Sequence, residues 1–452
     1  MIRRLLIANR GEIAARIVRT CSRLGIESVL AASDADLESL PARSADRVVR
    51  LGPAAAAQSY LDPDAVVRAA VAVGADAVHP GYGFLSENPS LARACAAAGI
   101  VFVGPTPESL EAVGDKLKAR GHAVAAGLPV VPGGEAVDLA GARAVAAEVG
   151  YPLLVKAVGG GGGRGMKLVH DPADLAHTLD LAVSEAAAAF GDPRVYLERF
   201  VSSGRHVEVQ ILGDGSTAVA LGDRDCSVQR RYQKLFEEAP APLISDALRA
   251  AMAEAALKLA AHLGYRGLGT VELLVDRERD TFYFLEMNAR IQVEHPVTEM
   301  ITGLDLVAEQ LAVAEGQPLR IRQEDVVLTG HAVECRINAE DWAHAFRPSP
   351  GRIARVVLPV GEGLRVDTHV QGGSVVPPFY DSLLAKLIVH GTDRADALDR
   401  ARAALDVLRI DGVTTTVPVH RALLADAEFA AGGVDTAFFE RFLEAQNLVG
   451  VR

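Results

Sequence analysis

Residues 286–294 read Glu-Met-Asn-Ala-Arg-Ile-Gln-Val-Glu and separate completely at a period of two. Glu286, Asn288, Arg290, Gln292 and Glu294 fall on one side, and Met287, Ala289, Ile291 and Val293 on the other. Successive side chains of an extended chain point to opposite faces, so the pattern predicts a strand. Any strand with one solvated face shows this alternation. The residues before it add a constraint. Residues 270–276 and 282–288 both read as strands, and the polar run 277–281 between them reads as a turn. Closing that five-residue loop as a hairpin sets Asp276 opposite Phe282, Leu274 opposite Phe284, Glu272 opposite Glu286 and Thr270 opposite Asn288. The other face becomes wholly apolar, with Val271 against Met287, Leu273 against Leu285 and Val275 against Tyr283. A one-residue slip would split the glutamates between faces. Like charges placed directly opposite repel. Two carboxylates and an amide oxygen suit a hard cation such as Mg²⁺, which keeps coordination positions for phosphate. The hairpin is thus either a half-solvated strand pair or a metal–phosphate site.

A chain of 452 residues suggests about three domains. Its 46 basic and 58 acidic side chains leave a formal charge of −12, which argues against a sequence-independent nucleic-acid binder. No apolar run reaches membrane-spanning length, and the apolar stretch at the start is too short for a signal peptide. Cys21, Cys95, Cys226 and Cys335 are far apart and form no CxxC pair, so neither a disulfide framework nor a zinc site is expected. A cytoplasmic location is the expectation.

Taken in order, residues 3–8 read as a strand, followed by a helix with Ile13, Ile17, Cys21 and Leu24 on one face and Gly25 as its stop. Residues 27–32 read as a second strand, and further helix–strand units fit 64–79 and 90–103. The fold class is therefore α/β, opening with a parallel sheet. The absence of GxGxxG weighs against a nicotinamide cofactor. The loop 79–88 (HPGYGFLSEN) follows a strand, where ligands bind in open α/β sheets, although an ordinary Gly/Pro turn explains it equally. Residues 104–114 read as a boundary, and 115–127 as a helix. The glycine run 159–165, with Arg164 inside it, sits between the strands 153–156 and 166–169. It is not a Walker A loop; it reads as a phosphate-contacting loop or a flexible linker. The charged run 223–234 would ordinarily be solvated, yet apolar segments bracket it, and near a carboxylate–metal site its cations would suit polyphosphate or bicarbonate. A helix is expected from about 246 to 263. After residue 318 the composition resets; 331–340 alternates like a strand, with Arg336 on the face of Glu334, and helices follow from 393.

These motifs in their order resemble biotin carboxylase, the ATP-grasp subunit of biotin-dependent carboxylases. The resemblance runs end to end: ANRGEIA at 8–14, the loop 79–88, Gly114-Asp-Lys116, Lys156 with the glycine run, Arg205-His-Val-Glu208, the run 224–234, residues 286–299, residues 330–340 and Tyr380-Asp-Ser382. It implies an N-terminal domain over 1–113, an ATP-grasp domain over 114–318 with a mobile lid at about 130–203, and a C-terminal mixed α+β domain over 319–452. Lys116 and Lys156 would contact ATP phosphates under a lid carrying Gly162 and Gly163. Glu198, Arg199, Phe200 and Val201 match positions around the adenine, and His206, Gln229 and Tyr232 match nucleotide-site positions. Glu272 and Glu286 match ATP and metal positions, and Asn288 a metal position, for one or two Mg²⁺ or Mn²⁺ ions. Lys234, Arg290, Gln292 and Val293, the last through its backbone, match the bicarbonate site. Glu294 matches the base that deprotonates bicarbonate, although a structural ion pair would use the same residue. Arg336 matches the arginine that stabilises the biotin enolate, and Tyr82 a biotin contact.

The implied reaction is ATP- and bicarbonate-dependent carboxylation of biotin through carboxyphosphate, the first half-reaction of an acetyl-CoA or acyl-CoA carboxylase. Another ATP-grasp carboxylating or carbamoylating ligase is the alternative. Tyr232 stands where histidine is common and Arg199 where lysine is common. The implied partners are a biotin carboxyl carrier protein and carboxyltransferase subunits, with the chain itself a homodimer. No Met-Lys-Met attachment site occurs, so biotin is expected on a separate carrier. Acetyl-CoA, propionyl-CoA, urea and pyruvate systems share this half-reaction, and the motifs do not choose among them.

Overall fold

The structure is a computed structural model that describes residues 1–159 and 165–446. Gly162, Gly163 and Arg164 lie outside the described residues. Among the described residues no helix is long and apolar enough to cross a membrane.

The chain opens with a five-stranded parallel sheet, ordered Arg47–Gly52, Glu27–Ser33, Arg4–Ile7, Ala77–His79, Val101–Phe102. Its helices begin by a repeated device. Asp62, Asn88 and Thr106 each accept hydrogen bonds from N–H groups of the first turn, and Pro63, Pro89 and Pro107 follow as the first helical residue. Such a side chain satisfies donors that the helix leaves unpaired, and proline loses nothing where no N–H is needed. The stretch 104–114 contains a helix, Pro107–Gly114, and its Gly-Pro-Thr-Pro opening holds the cap. The first helix, Gly11–Leu24, ends on Gly25 at φ 70° as anticipated, but Leu24 is exposed and does not join the buried face.

The strand order reverses direction between Arg4–Ile7 and Ala77–His79, and a crevice opens there at the strand ends. Asn9 holds the two loops together, donating from Nδ2 to the carbonyls of Pro80 and Tyr82, each at 2.7 Å. The loop 79–88 is thus fixed beside the crevice.

An eight-stranded antiparallel sheet forms the centre, ordered Thr281–Asn288, Arg266–Asp276, Gly204–Asp214, Ala218–Arg230, Gln233–Ala239, His331–Asn338, Leu383–Gly391, Leu364–Thr368. It runs without a break from the hairpin to strands beyond residue 318. The hairpin register is as expected at its open end, with Thr270 opposite Asn288, Val271 opposite Met287 and Glu272 opposite Glu286. A bulge at Leu285 then shifts the pairing, so Leu273 meets Phe284 and Asp276 meets Thr281 across a four-residue loop. The expected pairs Leu274–Phe284, Asp276–Phe282, Leu273–Leu285 and Val275–Tyr283 are therefore wrong by one. The strand also stops at Asn288; residues 289–294 are irregular and Glu294 opens the helix His295–Thr302. The alternation to Glu294 did not mark one extended segment.

A separate four-stranded antiparallel sheet, ordered Gly133–Ala136, Val195–Arg199, Leu153–Ala157, Met166–Val169, is covered by the helices Leu139–Val149 and Leu175–Phe190 around its own apolar cluster. Leu197 sits fully buried in that cluster. Leu197→Ala should cost about 2–5 kcal/mol of local stability. Amide hydrogen exchange is expected to accelerate across 133–199 while strands 331–338 and 383–391 stay protected. Uniform acceleration in both regions would show that the small sheet has no cooperative unit of its own.

Candidate active site

The site is built on one polar face of the large sheet. Register places Arg224 opposite Glu208, Glu208 opposite Glu272, and Glu272 opposite Glu286. Three glutamates thus stand in a row across three adjacent strands, with an arginine at one end. Such a row repels itself unless cations are interleaved. Arg224 Nε donates to Glu208 at 2.6 Å. Lys234 follows a two-residue turn in which Arg231 and Tyr232 both take positive φ, at 49° and 66°. Its Nζ donates to Glu208 at 2.6 Å, Glu272 at 3.0 Å and Glu294 at 2.7 Å. Burial opposes the charge on Lys234, but the three carboxylates outweigh it and raise its pKa well above the ordinary lysine value. Burial likewise works against an ionised Glu272, yet Lys234 and His206 hold it well below the usual carboxylate range. The charged run 223–234, ordinarily a solvated face, is a strand pair with Arg224 and Asp225 buried and Lys234 largely so.

Glu294 is fully buried. One carboxylate oxygen faces Lys234 and the other accepts from Arg336 Nη2 at 2.9 Å. Burial would raise its pKa; Lys234, Arg336 and Arg224 outweigh this and hold it well below the usual range. Arg336, from the strand His331–Asn338, also donates from Nε to Glu237. Glu294 is therefore a paired ion as well as a candidate base. It does not share a strand face with Arg290 and Gln292; the turn at 293–294 brings it to Lys234 instead.

Arg290 lies on the irregular segment beside the crevice of the first sheet. Its Nε donates to Glu87 at 2.8 Å, and its other nitrogens reach Gln292 and Asn288, both at 3.2 Å. Gln292 donates to Asn288 and, at 3.3 Å, to Glu272. The carbonyl of Val293 accepts from Lys386 Nζ at 2.8 Å, and Lys386 also pairs with Glu12 at 3.0 Å. Tyr82 donates its hydroxyl to Glu12. A chain of contacts thus runs from Tyr82 through Glu12 and Lys386 to the backbone beside Glu294.

The residues matched to the nucleotide line the approach from the small sheet. Lys156 pairs with Glu198, and Tyr196 lies beneath it. Burial opposes its charge, but Glu198 and Tyr196 raise its pKa. Glu198 in this structure therefore serves Lys156. Burial lowers the pKa of Lys116 against an opposing effect from Glu286. Arg199 donates to the Tyr283 hydroxyl at 2.9 Å, Phe200 contributes its backbone N–H to Pro152, and Val201 packs with Val131 and Tyr283. His206 lies between Glu272, at 3.1 Å, and Gln229, at 2.8 Å. Tyr232 is more than half exposed at its turn.

The sequence reading assigned no role to Glu208, Arg224, Glu87, Glu12, Lys386 or Glu237. Glu208 was legible in principle, since His206, Glu208 and Gln210 alternate as the hairpin residues do. The others come from distant strands and loops, and nothing local marks them.

Glu272, Glu286 and Asn288 offer only oxygen donors on one patch, the chemistry that hard divalent cations prefer. The residues fit such an ion. Elsewhere among the described residues, the converging trios His206–Glu208–Glu272 and Glu208–Cys226–Glu294 surround Lys234. Their three carboxylates face the Lys234 ammonium together with the guanidinium groups of Arg224 and Arg336.

Family models cover nearly the whole chain. "Biotin carboxylase, N-terminal domain" matches residues 1–110, "Carbamoyl-phosphate synthase L chain, ATP binding domain" matches 115–322, and "Biotin carboxylase C-terminal domain" matches 334–441. Biotin carboxylase of Pseudomonas aeruginosa is 51% identical over 98% of this chain and 99% of that protein. Biotin carboxylase 1 of Bacillus subtilis is 46% identical over 98% and 99%. Among solved structures, a biotin carboxylase–β,γ-ATP complex from Campylobacter jejuni superposes with a TM-score of 0.95 at 43% identity, covering 98% of this chain and 99% of that one. The biotin carboxylase domain dimer of Hydrogenobacter thermophilus 2-oxoglutarate carboxylase, solved with MgADP, ADP and bicarbonate, gives 0.94 at 41% identity over 100% and 99%. A parallel-sheet domain, an ATP-grasp domain and a C-terminal domain in this order define an ATP-dependent carboxylating enzyme. The chain belongs to the biotin carboxylase family, and its reaction is the ATP-dependent carboxylation of biotin. The central match alone is shared with carbamoyl-phosphate synthase; the flanking domains and whole-length identity decide against that alternative.

Lys234→Met would leave three buried carboxylates short of a cation, at a cost of about 3–5 kcal/mol. Glu294, held below its ordinary pKa, contributes stability that is present above the carboxylate range and lost as pH falls through its depressed value. The variant forfeits part of that contribution. Its deficit in Tm against the parent should be widest near neutral pH and narrow below the ordinary carboxylate pKa. A pH-independent deficit would contradict the role given to Lys234.

Proposed function

We propose that Lys234, Arg290, Gln292 and the Val293 backbone hold bicarbonate while Glu294 takes its proton, and that Lys116 and Lys156 hold the ATP phosphates. The observation that supports this is that Lys234 and Arg336 both touch Glu294, while Gln292, linked to Asn288 and Arg290, reaches Glu272, a further partner of Lys234. A carboxylate kept ionised by two cations is ready to accept a proton. The bicarbonate oxygen attacks the γ-phosphorus, the bond to ADP breaks, and carboxyphosphate forms. An anionic nucleophile meeting a triphosphate needs converging positive charge, which Lys116, Lys156, Lys234 and Arg290 bring. Glu272, Glu286 and Asn288 would hold one or two Mg²⁺ or Mn²⁺ ions, which add cationic charge at the phosphates. Carboxyphosphate releases CO₂ beside biotin, and Arg336 stabilises the enolate while Tyr82 contacts the ring system. His206, Gln229, Glu198, Arg199, Phe200, Val201 and Tyr232 frame the nucleotide. Because carboxyphosphate hydrolyses readily, a lid over about 130–203 excludes water.

The domains divide near residues 113 and 318. The chain acts in the cytoplasm as a homodimer; the biotin carboxylase domain of the Hydrogenobacter thermophilus relative is a dimer. It receives biotin on a carrier protein and hands carboxybiotin to a carboxyltransferase. An acyl-CoA such as acetyl-CoA is one acceptor such a second enzyme takes. Solved neighbours also belong to pyruvate, urea and 2-oxoglutarate carboxylases, so the partner makes the choice.

Bicarbonate-stimulated ATP cleavage with free biotin tests the reading. Glu294→Gln should lower kcat by about 10²–10⁴-fold while the KM for Mg-ATP changes little. Because Glu294 is also a buried ion-pair partner, Tm should fall as well, and the kcat loss must persist at temperatures where the variant is fully folded. Near-normal turnover in folded protein rejects the base. Glu286→Gln should raise the Mg²⁺ concentration needed for half-maximal turnover, and an unchanged requirement would remove Glu286 from the metal site.

A further inference from the structure

Behind Arg336 lies a pair of carboxyl groups that the mechanism above does not use. The strand Gln233–Ala239 runs antiparallel to His331–Asn338 and sets Glu237 directly opposite Glu334. Both side chains are fully buried. Arg336 stands two residues from Glu334 on the same face of its strand. Glu237 accepts from Arg336 Nε through Oε1. Its Oε2, and both carboxyl oxygens of Glu334, have no hydrogen-bond partner among the described residues. The groups facing the pair are accounted for. Lys386 lies across the ladder from Arg336, but its ammonium is committed to Glu12 and the Val293 carbonyl. Glu294, at the head of the helix His295–Thr302, adds negative charge, and Lys234 is shared among three other carboxylates. Cys226 and Cys335 are buried thiols whose pKa burial pushes well up.

Two carboxylates opposite one another in a dry site, served by one guanidinium edge, do not both ionise. We propose that Glu237 and Glu334 share one proton and together form the positioning element for Arg336: ionised Glu237 clamps the Nε edge of the guanidinium, which leaves the Nη2 edge for Glu294 and the biotin side, and protonated Glu334 occupies the neighbouring space without adding a second charge. The titration behaviour agrees with this arrangement. Burial, with help from Glu237 and against Lys386, pushes Glu334 well above the usual carboxylate range. Burial raises Glu237 to about 7, with Arg336 opposing it. The inference rests on the reading of Arg336 as the group facing biotin.

The sign of the pH effect follows. A carboxyl whose folded pKa is raised contributes stability that is present below its ordinary pKa and lost as pH rises through the raised value. Glu334→Gln keeps the shape and cannot ionise. Its Tm, measured against the parent between pH 6 and 9, should improve steadily with pH, by at least about 2 °C over the range. Glu237→Gln should lower kcat for free-biotin carboxylation at least about tenfold with an unchanged KM for Mg-ATP, because the guanidinium loses its clamp. A Glu334→Gln protein destabilised by the same margin at every pH overturns the shared proton. A folded Glu237→Gln protein with parental kcat overturns the positioning role. An Arg336→Lys protein that carboxylates biotin at the parental rate removes the reading beneath both, while the melting series still decides the proton pair.

Discussion

A lysine ammonium shared by three buried carboxylates is the contact on which the rest of this site depends. Taking an ion out of water costs several kcal/mol even after relaxation, so Lys234 is tolerable only where Glu208, Glu272 and Glu294 already stand within reach. Those carboxylates come from two strands and a helix head, and Arg224 and Arg336 hold two of them from the far side. Each of these charges except Glu294 is therefore placed by a strand whose position is fixed by sheet register. The continuity of the eight strands matters for that reason. It sets Glu272 and Glu286, on one edge, in the same frame as Glu237 and Arg336.

The legibility of this arrangement in the sequence was uneven, and the reasons are physical. The Glu272–Glu286 pairing was readable because a one-residue slip would have exposed an apolar face. The bulge at Leu285 was not, since an extra residue in one strand leaves the alternation on both sides intact. Residues 286–294 continue to alternate past the point where the strand ends. His295-Pro296, with proline in the first helical turn, marks a helix start there, and weighting it would have placed Glu294 on a helix head. The run 223–234 looked solvated because charge density is local information. What buries it is the row Arg224–Glu208–Glu272, assembled from residues up to 64 positions apart. The parallel sheet was easier to read, since short strands alternate with helices, three of which open on a capping side chain and a proline.

The contacts of Arg290, Gln292 and Asn288 carry a different lesson. They satisfy one another and Glu87 through bonds at 2.8–3.2 Å, with a further contact between Gln292 and Asn288. Arg290 and Gln292 belong to an irregular segment between a strand and a helix, and Asn288 is the last residue of the ladder before it. Lys234, Glu272 and Glu294 are held by several partners each and offer little freedom, whereas an arginine on an irregular segment can exchange one acceptor for another at small cost. A site that must bind a small anion and then let a different anion form benefits from that division. The buried carboxylates and ammonium provide a fixed potential, which needs no reorganisation as charge develops, and the segment 289–293 supplies donors that can follow the reacting atoms.

That division also explains why the network is charged when a hydrophobic core would be more stable. Replacing a buried ion cluster with well-packed apolar side chains is often neutral or stabilising. The row of glutamates would then be a poor choice for folding alone. Its use lies in the substrates, since bicarbonate and a triphosphate are both anions and must be brought within bonding distance. Cations strong enough to do this would, without counter-ions, bind phosphate so tightly that product would not leave. Placing Glu208, Glu272 and Glu294 around Lys234 lowers the net positive potential of the pocket while keeping the ammonium in position. On the proposed reading anions are attracted by Arg290, Lys116 and Lys156, while Lys234, Arg224 and Arg336 face Glu208, Glu272 and Glu294 in equal number.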